Sequence, residues 1–139
     1  MRFEPDDRLL RASLRGNAAF SSLCALISLA YAGPLAQTLG IPSPALLTAL
    51  GVQLLAFAAL LLVLASRPTI PLRLAWAVVA ADVLWVVGTI PLVLGETLTR
   101  AGVWTAIGIA DVVAIFAFLQ ALGIRRASRA TLPAQSVAA

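Results

Sequence analysis

The placement of charge constrains this chain more than any other feature. It holds ten Arg and six acidic residues, yet residues 18–124 carry only Arg67, Arg73, Asp82, Glu96, Arg100 and Asp111. Four stretches of that segment, 18–39, 45–65, 73–94 and 102–124, are apolar and long enough to cross a bilayer, which takes roughly 20 residues for about 30 Å of hydrocarbon. Charged residues make up 12% of the chain and the mean hydropathy is +0.99, whereas soluble domains carry about 25% charge. A soluble globular fold is excluded. The prediction is an all-α membrane protein, a four-transmembrane-helix antiparallel bundle with both termini cytoplasmic. Residues 1–17 form a cytoplasmic or interfacial segment, 18–124 the membrane domain and 125–139 a basic, then disordered, tail.

The breaks between spans are local and chemical. Gly40-Ile41-Pro42-Ser43-Pro44 ends the first gap, with Ser43 as helix cap and Pro44 at the first helical position. Ser66-Arg67-Pro68-Thr69-Ile70-Pro71 cannot continue a helix, and Gly95-Glu96-Thr97-Leu98-Thr99-Arg100-Ala101 separates the last two spans. Connections this short predict that consecutive spans pack side by side, antiparallel. Nine arginines fall on the side of both termini and the second loop, against Arg100 alone on the other, which sets the orientation. Ala30-Tyr31-Ala32 has the pattern of a cleavage site, but cleavage would leave three spans and strand the basic C-terminal flank outside, so an intact first span is expected. Gly33-Pro34 predicts a kink in that span that frees a carbonyl near Ala30.

Polar residues inside the spans carry the functional signal. Depth estimated from the 1.5 Å rise per residue places Asp82 and Asp111 about 3 Å either side of the midplane, with Gln53 and Ser28 beside them. An Asp at a helix centre costs roughly 2.5–3.5 kcal/mol, which the twelve Leu, Ile and Val of residues 72–94 and the eleven such residues or Phe of 102–124 offset. Both carboxyls are therefore expected to face the bundle interior or another protein. With no cation at that depth, at least one should act as a neutral hydrogen-bond donor. The layer reads either as a proton or cation site or as interhelical hydrogen bonding that sets helix register.

Two faces suit close packing. Cys24, Ser28, Ala32 and Ala36 recur every four residues in the first span, as do Gly102, Ala106, Ala110 and Ala114 in the last. Arg8, Arg11 and Arg15 share one helical face near the N-terminus and are expected to contact lipid head groups. Trp76, Trp104 and Tyr31 suit the interfacial belt, while Trp85 is deep enough to pack inside. Pro34-Leu35 and Pro91-Leu92, 57 residues apart, suggest an internal duplication.

The segments Leu14-Arg15-Gly16-Asn17, Gly33-Pro34, Leu39-Gly40 and Ala81-Asp82-Val83-Leu84-Trp85 together resemble small bacterial four-helix membrane proteins, including the DoxX-like families, over residues 10–125. The resemblance implies a four-helix membrane subunit or accessory protein in a bacterial inner membrane.

With no His, no Lys and one Cys, metal clusters, Cys/His dyads and Schiff-base chemistry lack their residues. An enzyme is therefore not expected. The residues name no cofactor, and the partners expected are the lipid bilayer and other membrane proteins or further copies of the chain, not nucleic acid. The function expected is a non-catalytic subunit or assembly factor of a larger membrane complex, respiratory or photosynthetic in kind, acting by lateral helix packing. The alternative is a small oligomeric proton- or cation-coupled transporter that uses Asp82 and Asp111.

Overall fold

The computed structural model describes residues 7–130, and those residues form five helices: α1 (Arg8–Ala30), α2 (Ala32–Leu39), α3 (Pro44–Ser66), α4 (Leu72–Leu94) and α5 (Arg100–Ala130). Three of them, α3, α4 and α5, are long and apolar enough to cross a membrane, and a fourth span results if α1 and α2 count as one broken span. That marks the chain as a multi-pass membrane protein.

Proline chemistry explains the break. Pro34 has no N–H to give to Ala30 and its ring collides with that carbonyl, so α1 cannot run on through Gly33-Pro34. It ends at Ala30, and α2 leaves at 97°. The expected kink is thus a full corner at Tyr31, and the first span does not extend straight to residue 39. Pro91 lies inside α4, which continues to Leu94, so the two Pro-Leu pairs shape the chain differently and the suggested duplication has no counterpart in the helices. Ser43 caps α3 as expected, accepting from the Ala45 N–H at 3.2 Å with Pro44 next in line. Gly40 ends α2 in the left-handed conformation (φ 78°), which glycine adopts without a Cβ penalty.

Two latches fix the ends. At the arginine-rich end, the Arg11 guanidinium donates to the carbonyls of Ala65 (2.8 Å), Arg67 (2.7 Å) and Pro68 (2.9 Å), and pairs with Asp7 (2.7 Å). The last carbonyls of a helix have no partner within it, and Arg11 supplies one for the end of α3. At the other end, Thr99 caps α5 by accepting from the Gly102 N–H (3.0 Å), while its hydroxyl and N–H donate to the carbonyls of Thr38 (2.6 Å) and Leu39 (3.1 Å). Gly102 is required here, since a methyl group would collide with the Leu39 carbonyl.

Helix α1 sits centrally, against α3 on one side and α5 on the other, and α4 packs chiefly on α5. The close-packed core lies in the arginine-rich half, where Leu10, Leu14 and Ala18 meet Leu61, Leu64, Ala75, Val78, Ala117 and Ile124. A methyl group on Gly123 would lie 2.8 Å from the Leu10 nitrogen, so α1 and α5 touch almost backbone to backbone. Helices α3 and α4, although consecutive, do not pack side by side, contrary to the expectation from their short connection. Arg11 holds the end of α3 and the Arg67–Pro68 carbonyls against α1, while α4 follows α5.

Three further expectations change. Residues 8–17 are the first turns of α1, helically continuous with the span rather than separate from it. Residues 127–130 continue α5 as helix; the remaining tail, 131–139, and the acidic residues Glu4 and Asp6 lie outside the described residues. Arg11, expected among lipid head groups, is 4% exposed and bonded to α3, whereas Arg8 and Arg15 are exposed.

Replacing Arg11 with Met removes charge-assisted bonds and leaves carbonyls unpaired, so it should destabilise the fold by about 3 kcal/mol. The exposed Arg15→Met should stay within about 0.5 kcal/mol. Unfolding titrations in mixed micelles read both, and equal effects would refute the latch.

Candidate functional site

One carboxyl organises the interior. Asp82, 3% exposed on α4, accepts through Oδ2 from Asn17 Nδ2 of α1 at 2.7 Å and from Gln120 Nε2 of α5 at 3.3 Å. Asn17 in turn accepts from the Ser21 hydroxyl at 3.3 Å. Helix geometry makes the meeting possible. Asn17 is nine residues into α1, Asp82 ten into α4 and Gln120 ten before the end of α5, so each lies about 14–15 Å from the arginine-rich end of its helix. The same carboxylate oxygen thus ties three helices together. Gln120 Oε1 is fully buried and has no hydrogen-bond partner among the described residues.

Immediately beyond this polar node, away from the core, the interior opens into a cavity of about 410 Å³. Its floor is Asn17 and Asp82. One wall is the stripe Asn17, Ser21, Cys24 and Ser28, spaced 4, 3 and 4 residues along α1 so that all four share a face. Leu50, Gln53, Leu54, Phe57 and Leu60 of α3 stand on one side, Ala81 and Trp85 of α4 on the other, with Ile109 and Val113 of α5 behind. Because α3 and α4 do not close on each other, the cavity's mouth lies between them, facing where lipid would be. A second, wholly apolar hollow lined by Phe57, Leu60, Leu64, Leu74, Ala77, Val78 and Ala81 continues the same cleft toward the arginine-rich end.

The expected polar layer is therefore rearranged. Asp82 is in it, but Asp111 is exposed on α5. Asp111 stands nine residues from Gln120, which is about 14 Å along the axis and half a turn around it, so the two side chains leave opposite faces of α5. Gln53 and Ser28 line the cavity farther from the core than Asp82 and bond to neither carboxyl. The depth estimate erred because α1 begins at Arg8 and α5 runs to Ala130, which slides both helices relative to the assumed spans. Asn17 and Gln120 escaped notice for the same reason. Both carry a signal, as carboxamides inside otherwise apolar or small-residue helical faces, and Asn17 begins the polar stripe.

The small-residue faces are also divided. Cys24 and Ser28 face the cavity, while Ala32 and Ala36 fall beyond the corner on α2. On α5, Gly102 is buried against α2, Ala106 and Ala110 are half-buried and Ala114 is exposed. Trp85 lines the cavity, and Trp76, Trp104 and Tyr31 are exposed. Among the described residues, no group of His, Cys, Asp or Glu has the geometry of a metal site.

Replacing Asp82 with Leu should cost about 2–3 kcal/mol, because the Asn17 and Gln120 amides lose their buried acceptor. Asp82→Asn keeps an acceptor oxygen and should cost under about 1 kcal/mol; similar losses for both would refute the hydrogen-bonded node.

No known protein family, curated protein or solved structure matches this chain.

Proposed function

We propose that this protein is a non-catalytic subunit or assembly factor of a larger membrane complex, and that it acts by lateral helix packing. In this reading α1 with α2, α3, α4 and α5 make a four-span bundle in a bacterial inner membrane. The arginine-rich end and both termini face the cytoplasm, as the arginine count favours.

The observation that carries the reading is Asp111. It is exposed on α5, about 16 Å in from Arg100, amid the exposed Trp104, Ile115 and Phe118. An acidic side chain facing hydrocarbon at that depth costs a few kcal/mol, and such residues meet protein or a polar cavity instead. Nothing in the chain covers Asp111 among the described residues. A neighbouring helix bearing a donor or a cation would satisfy it, and the half-buried to exposed run Ala106, Ala110 and Ala114 lets such a helix approach closely.

A transporter built on paired carboxyls is less well supported, since Asp82 and Asp111 leave opposite sides of the chain. That arrangement would need the pair to form between copies.

Native mass spectrometry of protein extracted gently from its own membranes tests the proposal. Stoichiometric co-purification with other membrane subunits is expected. Asp111→Leu should leave thermal stability within about 0.5 kcal/mol and reduce the co-purified subunits at least tenfold. A bare monomer, or a homo-oligomer indifferent to Asp111, would overturn it.

A further inference from the structure

The cavity has chemistry that lateral packing at Asp111 does not use. Asp82 Oδ2 is occupied by two amide donors, but no hydrogen bond within the described residues reaches Oδ1. The residue lines the cavity, so Oδ1 is what it has left to offer an occupant. Among the described residues, no cationic side chain pairs with Asp82. Gln120 Oε1, without a donor among the described residues, is fully buried behind the node and does not line the cavity, so at this floor Asp82 alone presents an unfilled acceptor. The unfilled Oδ1 calls for a hydrogen-bond donor, and a positively charged one would also balance the carboxylate.

The walls select the rest of the molecule. Phe20, Phe57 and Trp85 present aromatic surface, which attracts cations over its faces as well as apolar groups. The remainder is largely aliphatic, and a volume of about 410 Å³ falls in the range of small-molecule sites. The mouth between α3 and α4 faces lipid, so the route in is lateral. Asp82 lies about 15 Å from the arginine-rich end of α4, too deep for the head group of a lipid seated at the interface. We infer that the cleft between α3 and α4 binds a lipophilic amine from within the membrane, its ammonium on Asp82 and its apolar body along Phe57 and Trp85.

The test uses full-length protein in nanodiscs. Trp76→Phe and Trp104→Phe leave Trp85, on the cavity wall, as the sole tryptophan. The probes are 11-bromoundecylamine, 11-bromoundecanol and 11-bromoundecanoic acid, which share a chain and a short-range quencher but differ in head group. Saturable quenching of Trp85 by the amine is expected at a concentration at least tenfold below either other probe. Asp82→Asn should erase that preference. Ala81→Phe, which narrows the mouth and leaves the carboxyl intact, should abolish saturable quenching by the amine. Equal quenching by all three heads would signify simple partitioning and overturn the inference, as would an amine preference that survives Asp82→Asn, or no saturable quenching at all. None of these results depends on co-purifying subunits, so this inference and the Asp111 proposal can fail separately.

Discussion

The Arg11 guanidinium on the end of α3 is the contact from which the rest of the arrangement follows. A helix that ends at Ser66 before a proline-rich loop leaves carbonyls with no partner of their own. One planar, five-donor group reaches the Ala65 carbonyl and those of Arg67 and Pro68 just beyond the helix, and is paired with Asp7 one turn away. That bond sets how far α1 slides along α3. The register places Leu10 and Leu14 in the core and brings Asn17 to the depth of Asp82. It also holds the start of the α3–α4 loop on α1, so α4 departs toward α5 and the cleft between α3 and α4 stays open.

The molecule has two acidic poles with opposite surroundings. Asp82 is buried and hydrogen-bonded by carboxamides from two other helices, and it closes the bottom of an apolar cavity. Asp111 faces outward from the far side of α5. Each leaves a polar demand that the described residues do not meet, and the demands differ in kind. The inner pole opens through the cleft between α3 and α4, which suits a small amphiphile. The outer one stands on a helix surface with small residues alongside, which suits another helix.

Much of the architecture was legible because it rests on local chemistry. The apolar stretches, the Ser43-Pro44 start of α3 and the disruption at Gly33-Pro34 all follow from residues within one turn of the event. What was not legible was relative depth. Counting from the middle of each apolar stretch assumed that hydrophobicity marks the helix ends. Yet α1 starts ten residues before its apolar stretch and α5 ends six residues after its own. An error of a few residues is several ångströms along the axis and also a rotation of a hundred degrees per residue. It was enough to set Asp111 beside Asp82 and to overlook Gln120. Arg11 was misplaced for a related reason: three arginines on one helical face look alike in sequence, and only the neighbouring α3 distinguishes the one that turns inward.

By itself the sequence determined that this chain is helical and multi-pass, where its helices break, and that the interior would hold few ionisable groups. Those properties follow from hydropathy, proline and capping chemistry, which act over one or two turns. The tertiary structure alone decided which polar residues meet. The Asn17–Asp82–Gln120 node joins residues 38 to 65 positions apart. Its existence depends on the axial register and rotation of three helices, and these are set by contacts such as Arg11 on α3 and Leu10 against Gly123, which no local pattern encodes.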